Sequence, residues 1–387
     1  MVLSNSPMEV ESTSEQTKKH KKKKKFMTIL NCSLLALGAS GGPLIMRLYF
    51  IHGGKKIWLS SWLETGGWPL NIIPILLSYL HRRKKAKSQQ HSPAKLFFIT
   101  PRLFLASAIL GLLTGLDDYL YAYGVAALPV STLALIISTH LGFTAAFAFL
   151  LVKQKFTAST INAVFLLTIG EGVLAMHASG DRPKNETDKE YYMGFAMTIG
   201  AAALYGFVLP AVELTYKKAK QKINYSLVME MQMVISLFAT VFCTVGMLAN
   251  NDFQTIAREA NEFGLGEAMY YFVLVLNGSI WQCFFLGAIG VIFCASSLLS
   301  AILIAVCIPI TEILAVLFYH ESFRAEKAVS LVLCVWGFIS YFYGEFQKVK
   351  KMKRQRPHPA ETELPPQPQA TSPICDHGTS INGRANV

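Results

Sequence analysis

Two apolar stretches, each long enough to cross a lipid bilayer, meet at Pro129 within the segment from Ile109 to Phe156. The hydrocarbon core of a bilayer is about 30 Å thick, so roughly 20 apolar residues of helix cross it. The first stretch nevertheless contains two adjacent carboxylates, Asp117 and Asp118, and the second contains His140. One Asp at the centre of a membrane helix costs roughly 3 kcal/mol, so such residues face a bundle interior or an aqueous cavity. These three residues are the first candidates for a functional site.

The composition indicates a polytopic helical membrane protein. Of 387 residues, 52% are hydrophobic and 16% are charged, and the mean hydropathy is +0.37. The net charge of +12 would suit nucleic acid, but the basic residues cluster in the tails and the short loops between apolar runs, which is a topology signal. The seven cysteines show no CxxC spacing, so neither a disulfide framework nor a metal site is expected. We therefore predict no cofactor, no metal and no nucleic-acid partner.

We predict ten spans, near residues 27–51, 57–80, 102–124, 128–152, 157–178, 191–215, 225–248, 268–289, 291–318 and 326–346. The strongly basic segments all fall on one side of this arrangement: the lysines of 18–25, the loop HRRKKAKSQQHSPAK, the loop YKKAKQK and the tail KVKKMKRQR. Since cytosolic loops are rich in Lys and Arg, both termini are predicted to be cytosolic.

An internal repeat supports this number of spans. At one fixed offset the fourth and fifth spans align with the ninth and tenth, pairing Thr144 with Thr311, Ala148 with Ala315, Leu166 with Leu333, and Gly170 with Gly337. Five spans per copy is an odd number, so the two copies must be inverted in the membrane. The predicted fold class is an all-α integral membrane protein of ten transmembrane helices in two inverted five-helix repeats. This architecture is typical of alternating-access transporters, whose substrates bind between the halves.

The predicted organisation follows from these boundaries. It comprises a cytosolic basic tail (1–26), a first five-helix repeat (27–178), an extracellular loop (179–190), a second five-helix repeat (191–346) and a disordered cytosolic tail (347–387). The loop contains the glycosylation sequon Asn185-Glu186-Thr187, whose use the sequence leaves open.

Several carboxylates share a depth in the membrane. In this topology Glu64 and Asp117 both lie about six residues, or roughly 9 Å, below the outer surface. Arg47 is close to that level and is predicted as their structural charge partner. Adjacent helix positions are separated by about 100°, so we expect one of Asp117 and Asp118 to face the cavity and the other to face a neighbouring helix. The candidates for proton coupling are Glu64, Asp117, Asp118 and Glu312. For any single acid, an interhelical hydrogen bond is the alternative role.

Aromatic residues accompany the acids. Trp62 precedes Glu64 by two positions, and Tyr119 follows the acid pair. An aromatic face beside a carboxylate suits a protonated nitrogen ring. His140, near the middle of its span, is either a core residue or a proton or ligand group. The predicted substrate-binding residues are Trp62, Glu64, Asp117, Asp118, Tyr119, His140, Thr144, Trp281 and Gln282.

A series of motifs identifies a family. In order and spacing, GASGGPLIMRLYF, GGKKIWLSSWLETGGWP, GLLTGLDDYLYAYG, LPVST, LPAVELTYKKA, GAIGVIFCASSL and WGFISYFYGEF resemble the plant purine permeases of the drug/metabolite transporter superfamily. The resemblance covers nearly all of 30–346. It implies a ten-span, inverted-repeat, proton-coupled importer, typically at the plasma membrane, for adenine, cytokinins and related N-heterocycles. Some relatives take up alkaloids or vitamin B6.

The chain departs from the family pattern at a few positions. An amide is common at the position of Asp118, Gln at that of His140, Asn at that of Thr144 and often Gln at that of Glu64, while Glu171 replaces an apolar residue. Amides donate and accept towards a purine edge, whereas an ionised carboxylate only accepts and attracts a cation. We therefore expect a cationic, benzylisoquinoline-like alkaloid as the favoured substrate. Import of adenine, another purine nucleobase or a cytokinin is the alternative.

Two other functional classes fit less well. A membrane-embedded enzyme would need a nucleophile with its base or a metal cluster, and the sequence contains neither HExxH nor GxSxG. A channel is the second class, but an inverted repeat with acids at several depths suits rocking halves better than a fixed filter. The expected partners are a small-molecule substrate, protons and the lipid bilayer. The exact substrate, the coupling stoichiometry and the oligomeric state stay open.

Overall fold

The computed structural model describes residues 7–54, 56–88, 97–128, 136–137, 139–176, 188–319 and 325–355, and every regular element within them is helical. The elements are α1 (Pro7–Ile51), α2 (Ile57–Thr65), α3 (Ile72–Ser88), α4 (Pro101–Ala127), α5 (His140–Val152), α6 (Ala158–Met176), α7 (Asp188–Lys218), α8 (Tyr225–Ala249), α9 (Asp252–Glu262), α10 (Glu267–Cys294), α11 (Ser297–Tyr319) and α12 (Ala325–Gln355), with a 3-10 turn (Trp68–Asn71) between α2 and α3. The all-α prediction is thereby confirmed for the described residues.

Seven of the described helices are long and apolar enough to cross a membrane. They lie at Lys24–Ile51, Pro101–Gly124, Tyr192–Lys218, Tyr225–Ala249, Glu267–Cys294, Ser297–Tyr319 and Lys327–Lys348, and each coincides with one predicted span. The three other predicted spans look different. The fifth is represented by α6, with a shorter apolar core at Ala158–Gly170, and the fourth by the short helix α5, because residues 129–135 and 138 lie outside the described part.

The second predicted span is broken in the middle. Helix α2 ends at Thr65, and Gly66 and Gly67 lead into the 3-10 turn before α3 begins. Pro69 has no backbone N–H to donate in that turn. Gly67 packs so closely that a Cβ atom there would overlap the carbonyl of Gly278 on α10. The interruption therefore needs glycine, and it places Glu64 one residue before the end of a half-helix.

The ends of the chain also differ from the predicted boundaries. Helix α1 begins at Pro7, inside the segment assigned to a basic tail, and α12 continues beyond residue 346 to Gln355. The chain forms two compact units, Met1–Gly344 and Glu345–Val387. In the second unit the described residues form the end of α12, where Lys348 pairs with Glu345 at 2.5 Å.

A short amphipathic helix, α9, lies between the predicted spans 225–248 and 268–289. Ala260 is fully buried, whereas Arg258 and Glu262 pair with each other at the surface. On the buried side, Glu259 accepts hydrogen bonds from the hydroxyls of Tyr49 on α1 and Tyr270 on α10, both at 3.0 Å. At 11 residues and with mostly polar side chains, this helix lacks the long apolar run by which the spans were predicted.

Close helix contacts build two groups of helices. The most extensive packing joins α1 to α10, where a Cβ atom on Gly38 would overlap the backbone of Phe284 and one on Gly287 would overlap that of Leu35. Small residues that let helix backbones approach are typical of packing in membranes, where water does not drive association. Helix α11 packs on the same pair, while α7 packs against α4 and α5. Both groups, α1/α10/α11 and α4/α5/α7, contribute residues to one internal cavity.

Candidate functional site

The cavity has a volume of about 160 Å³. That is far more than the ~10–15 Å³ that a single water molecule requires. Its walls are largely apolar, with Pro43 from α1, Ile304 and Ile308 from α11, and alanines from α1 and α7. A few polar side chains interrupt this surface, which is the usual composition of a site for a small organic molecule.

Three carboxyl groups gather on one side of the cavity. Glu64 from α2 is 4% exposed, and Asp117 and Asp118 from α4 are 6% and 5% exposed. The two helices pack together, and the hydroxyl of Ser61 donates to the backbone carbonyl of Asp118 at 3.3 Å. Glu64, Asp117 and Asp118 thus line one cavity from two packed helices.

Both aspartates line the cavity, so the expectation that only one of them would do so is wrong. The two side chains leave α4 about 100° apart, but the cavity wraps around enough of the helix to contact both. Tyr121, one turn further along α4, extends the same surface. Among the described residues that line the cavity, there is no lysine or arginine to offset these acids.

Five polar atoms of cavity-lining residues are buried and have no hydrogen-bond partner among the described residues. They are Asp117 Oδ1, Asp118 Oδ2, His140 Nε2, Tyr205 Oη and Trp281 Nε1. Buried polar groups are normally satisfied, and each one left without a partner costs about 1–3 kcal/mol. Five such atoms on one cavity indicate a surface that is completed by a bound molecule or by water.

The tautomer of His140 follows from its neighbour. Its Nδ1 lies 2.9 Å from the carbonyl oxygen of Ile137. A carbonyl only accepts, so Nδ1 carries the proton and donates it to this bond. In the neutral ring, Nε2 is then a hydrogen-bond acceptor at the cavity surface. The indole Nε1 of Trp281, by contrast, can only donate.

Aromatic rings form another part of the cavity wall, which is less polar than the part formed by the acids. Tyr205 and Phe284 are nearly parallel, with centroids 6.4 Å apart and an interplanar angle of 22°. Trp281 meets Phe284 edge to face, with centroids 5.2 Å apart, and the His140 ring lies 5.9 Å from that of Tyr205. These flat surfaces, with donors and acceptors at their edges, suit a planar heterocycle.

Similar proteins decide the family. The family described as purine nucleobase transmembrane transport matches residues 26–351. Purine permease 3 of Arabidopsis thaliana is 53% identical over 340 residues, which are 88% of this chain and 96% of that protein. The chain belongs to the purine permease family. Purine permease 2 of the same plant is 53% identical over 345 residues, 86% of this chain and 96% of that protein. Probable purine permease 5 is 37% identical over 311 residues, 80% and 83% of the two chains.

This membership confirms the resemblance read from the motifs. A purine permease is a transporter, and together with the seven long apolar helices the family makes this chain a multi-pass membrane protein. One solved structure overlaps with a TM-score of 0.49 and 13% identity, over 81% of this chain and 97% of that one. That likeness is too low to define the fold further.

Four of the predicted substrate-binding residues of this purine permease lie away from the cavity lining. The indole of Trp62 donates to Thr244 on α8 at 3.0 Å, and Tyr119 stacks on Trp58 with ring centroids 4.0 Å apart. The hydroxyl of Thr144 donates to the carbonyl of His140 at 2.8 Å. Trp62 and Tyr119 thus contact neighbouring helices, whereas Thr144 bonds within its own helix, α5.

Gln282 is the fourth of these residues. Its side chain is 3% exposed, and neither polar atom of its amide has a partner among the described residues. It borders Gly67, at the break after α2, rather than the cavity. Its predicted role in substrate binding stays a prediction.

The structure also gives no contact that tests the predicted charge pairing of Arg47 or the predicted proton coupling of Glu312. The guanidinium of Arg47 lies 5.8 Å from the centre of the Tyr319 ring, and its predicted pairing with a carboxylate stays a prediction. The side chains of Glu312 and Glu171 lie outside the described part of the structure, as does Asn185.

Sequence reasoning missed several residues of the cavity. Phe284 follows Trp281 by three residues, so helical spacing could have found it. Tyr205 carried a weaker signal, as a polar-tipped ring near the middle of a predicted span, four residues after Ala201. Ile304 and Ile308 carried none, because apolar residues on an apolar helix do not show which face lines a cavity.

Proposed function

We propose that this chain imports purine nucleobases through the described cavity. The observation that carries the proposal is the set of buried polar atoms without partners on an aromatic-walled cavity in a member of the purine permease family. The two purine permeases named above that are 53% identical to this chain match it along nearly their whole length.

A neutral purine matches this surface. Its ring stacks on aromatic walls such as Tyr205 and Phe284, and its ring nitrogens accept a hydrogen bond from Trp281. Its N–H groups donate to Nε2 of His140 and to the carboxyl oxygens. A cytokinin, which carries the same purine ring, engages the same groups.

Proton coupling is the second part of the proposal. The three buried carboxyl groups on the cavity support it, because burial without a neighbouring cation favours the protonated form of a carboxyl group. Asp117 and Glu312 are further candidates. A proton taken up from outside together with the substrate would drive import down the proton gradient.

The proposed transport architecture is the ten-span inverted repeat. In this scheme α1 corresponds to α7, α4 to α10 and α5 to α11. If each helix is replaced by its counterpart in the other repeat, the α1/α10 pair corresponds to the α7/α4 pair. The α1/α11 pair likewise corresponds to the α7/α5 pair. In each of these two comparisons, both helix pairs are in contact, as a duplicated arrangement requires. This agreement supports the duplication.

Side-chain contacts between α6 and α12 are reciprocal in the same way. A Cβ atom built on Gly170 would lie 3.2 Å from Cβ of Leu333, and one built on Gly337 would lie 3.3 Å from Cβ of Leu166. The predicted repeat pairs the two glycines with each other and the two leucines with each other. Cytosolic termini and a plasma-membrane location complete the proposal and rest on the distribution of basic loops and on the family resemblance.

A cationic, alkaloid-like amine is the second candidate substrate. The three carboxyl groups, with no lysine or arginine among the described lining residues, favour it. The names of the relatives favour purines, and purine import is therefore the main proposal.

Uptake into cells that express the chain tests both candidates. Radiolabelled adenine is offered at acidic and at mildly basic external pH, with an unlabelled cytokinin or a benzylisoquinoline alkaloid as competitor. Saturable adenine uptake that is higher at acidic pH and abolished by a protonophore is expected. Absence of adenine uptake together with saturable alkaloid uptake would instead establish the second candidate.

A further inference from the structure

We propose that α9 is a gate over one end of the cavity, and that a solute passes this end only when α9 swings away from α1 and α2. The inference rests on the proposed function in one respect, namely that a solute moves through the described cavity. It adds the segment that has to move and the contacts that have to break.

Helix α9 lies across one end of the helix bundle. At this end α1 and α8 finish, and α2 and α10 begin. The buried side of α9 contributes to an apolar group with all four helices, and each member is at most 4% exposed. This end cluster consists of Tyr49, Leu59, Leu63, Met247, Ala260, Phe263, Tyr270 and Val273.

The end cluster lies between α9 and the cavity. On α2, Leu63 belongs to the cluster, and the next residue, Glu64, lines the cavity. On α1, Pro43 lines the cavity, and Tyr49 of the cluster lies six residues, or roughly 9 Å, further along the helix. A solute that approaches the cavity from this end therefore meets α9 and the end cluster in its path.

Two buried hydrogen bonds fasten α9 to α1 and α10. The carboxylate of Glu259 accepts from the hydroxyls of Tyr49 and Tyr270, both at 3.0 Å. Glu259 is 9% exposed, so both bonds are shielded from most of the solvent. A buried carboxylate without its donors is costly, and these bonds therefore favour the fastened position of α9.

A second fastening joins the ends of α9 to the segment between α1 and α2. Lys56, directly before α2, pairs with Asp252 at 3.3 Å, and its side chain is 36% exposed. The backbone N–H of Gly264 donates to the carbonyl of His52 at 3.0 Å. Ion pairs near the surface contribute little stability, so this pair can break and form again during a transport cycle.

The backbone on either side of α9 suits a hinge. Asn251, which precedes the helix, has a φ of 55°, and Gly266, which follows it, has a φ of 88°. Glycine adopts this left-handed region freely, and asparagine adopts it more readily than most residues. A Cβ atom built on Gly266 would have no neighbour within 4 Å, so packing does not hold this turn. A few residues at the ends of an element are sufficient to absorb such a rotation.

The opposite end of the bundle is fastened in a corresponding way. Near the beginning of α8, Glu230 accepts from the backbone N–H groups of Phe98 and Ile99, at 2.7 and 3.0 Å. The side chain of Gln221 donates to the carbonyl of Phe98 at 3.1 Å. In the proposed repeat, the α3–α4 connection corresponds to the α8–α10 connection, which contains α9. At each end, one connection thus crosses from one repeat onto the other, as expected if each closes its own end.

A zinc bridge tests whether α9 has to move. In Lys56→His/Asp252→His, two histidines replace the ion pair, and Zn²⁺ bound by both would join α9 to the start of α2. Arg258→His/Glu262→His is the matched control. These positions are four residues apart on the exposed face of α9, so their histidines hold Zn²⁺ without bridging two helices.

Adenine uptake is measured first with Zn²⁺ and then after EDTA is added. Zn²⁺ should lower uptake by the bridged variant about tenfold or more, because a ligand that binds only the fastened state shifts the population towards it. EDTA should restore this uptake. The control variant and the unmodified chain should respond to neither treatment.

A second readout does not depend on adenine. Ala39→Cys is added to each variant, because Ala39 lines the cavity, and its labelling by a membrane-impermeant thiol reagent is followed by mass spectrometry of its peptide. Zn²⁺ should slow this labelling in the bridged variant alone. Intact cells and inside-out vesicles are both used, so the result does not depend on which membrane face carries α9.

The gate is overturned if Zn²⁺ changes neither uptake nor labelling in the bridged variant, or if it acts equally on the control. Should the histidine pair fail to fold, Asp252→Lys decides instead. Repulsion from Lys56 would release α9 and speed the labelling of Ala39→Cys, and unchanged labelling would overturn the gate. Failure of the proposed function looks different: adenine enters with no variant, while the zinc effect on labelling persists.

Discussion

Nδ1 of His140 donates to the carbonyl of Ile137 across 2.9 Å, so the opposite nitrogen is held at the cavity as an acceptor. Removal of this acceptor with His140→Ala should raise the KM for adenine about 2- to 10-fold, the loss of one neutral hydrogen bond. His140→Gln should restore part of the affinity because its amide oxygen accepts. His52→Ala is the control, since His52 makes the same bond to Leu48 at 2.9 Å but does not line the cavity. Equal KM values for His140→Ala and His52→Ala would exclude this role.

The donor of Trp281 can be separated from its ring. Trp281→Phe keeps an aromatic wall but removes the N–H, and we expect the KM for adenine to rise about 2- to 10-fold. Trp62→Phe makes the same change of ring, but it also breaks the hydrogen bond from Trp62 to Thr244 at 3.0 Å. We therefore expect Trp62→Phe to lower the melting temperature more than Trp281→Phe does. Uptake kinetics and thermal unfolding of the two variants in detergent measure the difference. A larger KM effect from Trp62→Phe would contradict the placement of Trp281 at the substrate.

Close packing of α1 on α10 can be tested at one glycine. In Gly38→Ala the new Cβ would overlap the backbone of Phe284, which the helices relieve only by moving apart. Overpacking of this kind costs roughly 1–3 kcal/mol, so thermal stability and yield of folded protein should fall. Gly142→Ala is the matched control on α5, because a Cβ there would have no neighbour within 4 Å. Similar melting temperatures for the two variants would argue against the α1/α10 contact.

The α9 helix carries two buried carboxylates, Asp252 and Glu259, and one exposed carboxylate, Glu262. Glu259→Gln weakens the bonds from Tyr49 and Tyr270, and charge-assisted bonds are about twice as strong as neutral ones. We expect a loss of about 1 kcal/mol or more in the free energy of unfolding. Glu262→Gln removes a surface pair with Arg258, whose side chains are 81% and 67% exposed, and such pairs contribute about 0–1 kcal/mol. Thermal unfolding of both variants makes the comparison, and a larger effect from Glu262→Gln would refute the anchoring of α9.

The carboxyl cluster shows how far sequence reasoning reached. Asp117, Asp118 and Glu64 were identified because carboxylates are rare in apolar spans, and all three line the cavity. His140 and Trp281, chosen for position and chemistry, line it as well. Trp62 and Tyr119 were chosen because they are close to the acids in sequence, but neighbours along a helix point in different directions. Each instead contacts another helix.

The sequence by itself determined the membrane environment, the helical class, the family and the presence of an acid cluster. These depend on composition, on hydrophobic runs and on residue types that are costly in a bilayer, all of which are local properties of the chain. Only the tertiary structure decided that both aspartates line one cavity, that Glu64 lines it as well, and that Tyr205 and Phe284 complete the wall. These relationships depend on how each helix is rotated and how closely glycines let helices approach, which is set by contacts between segments distant in the chain.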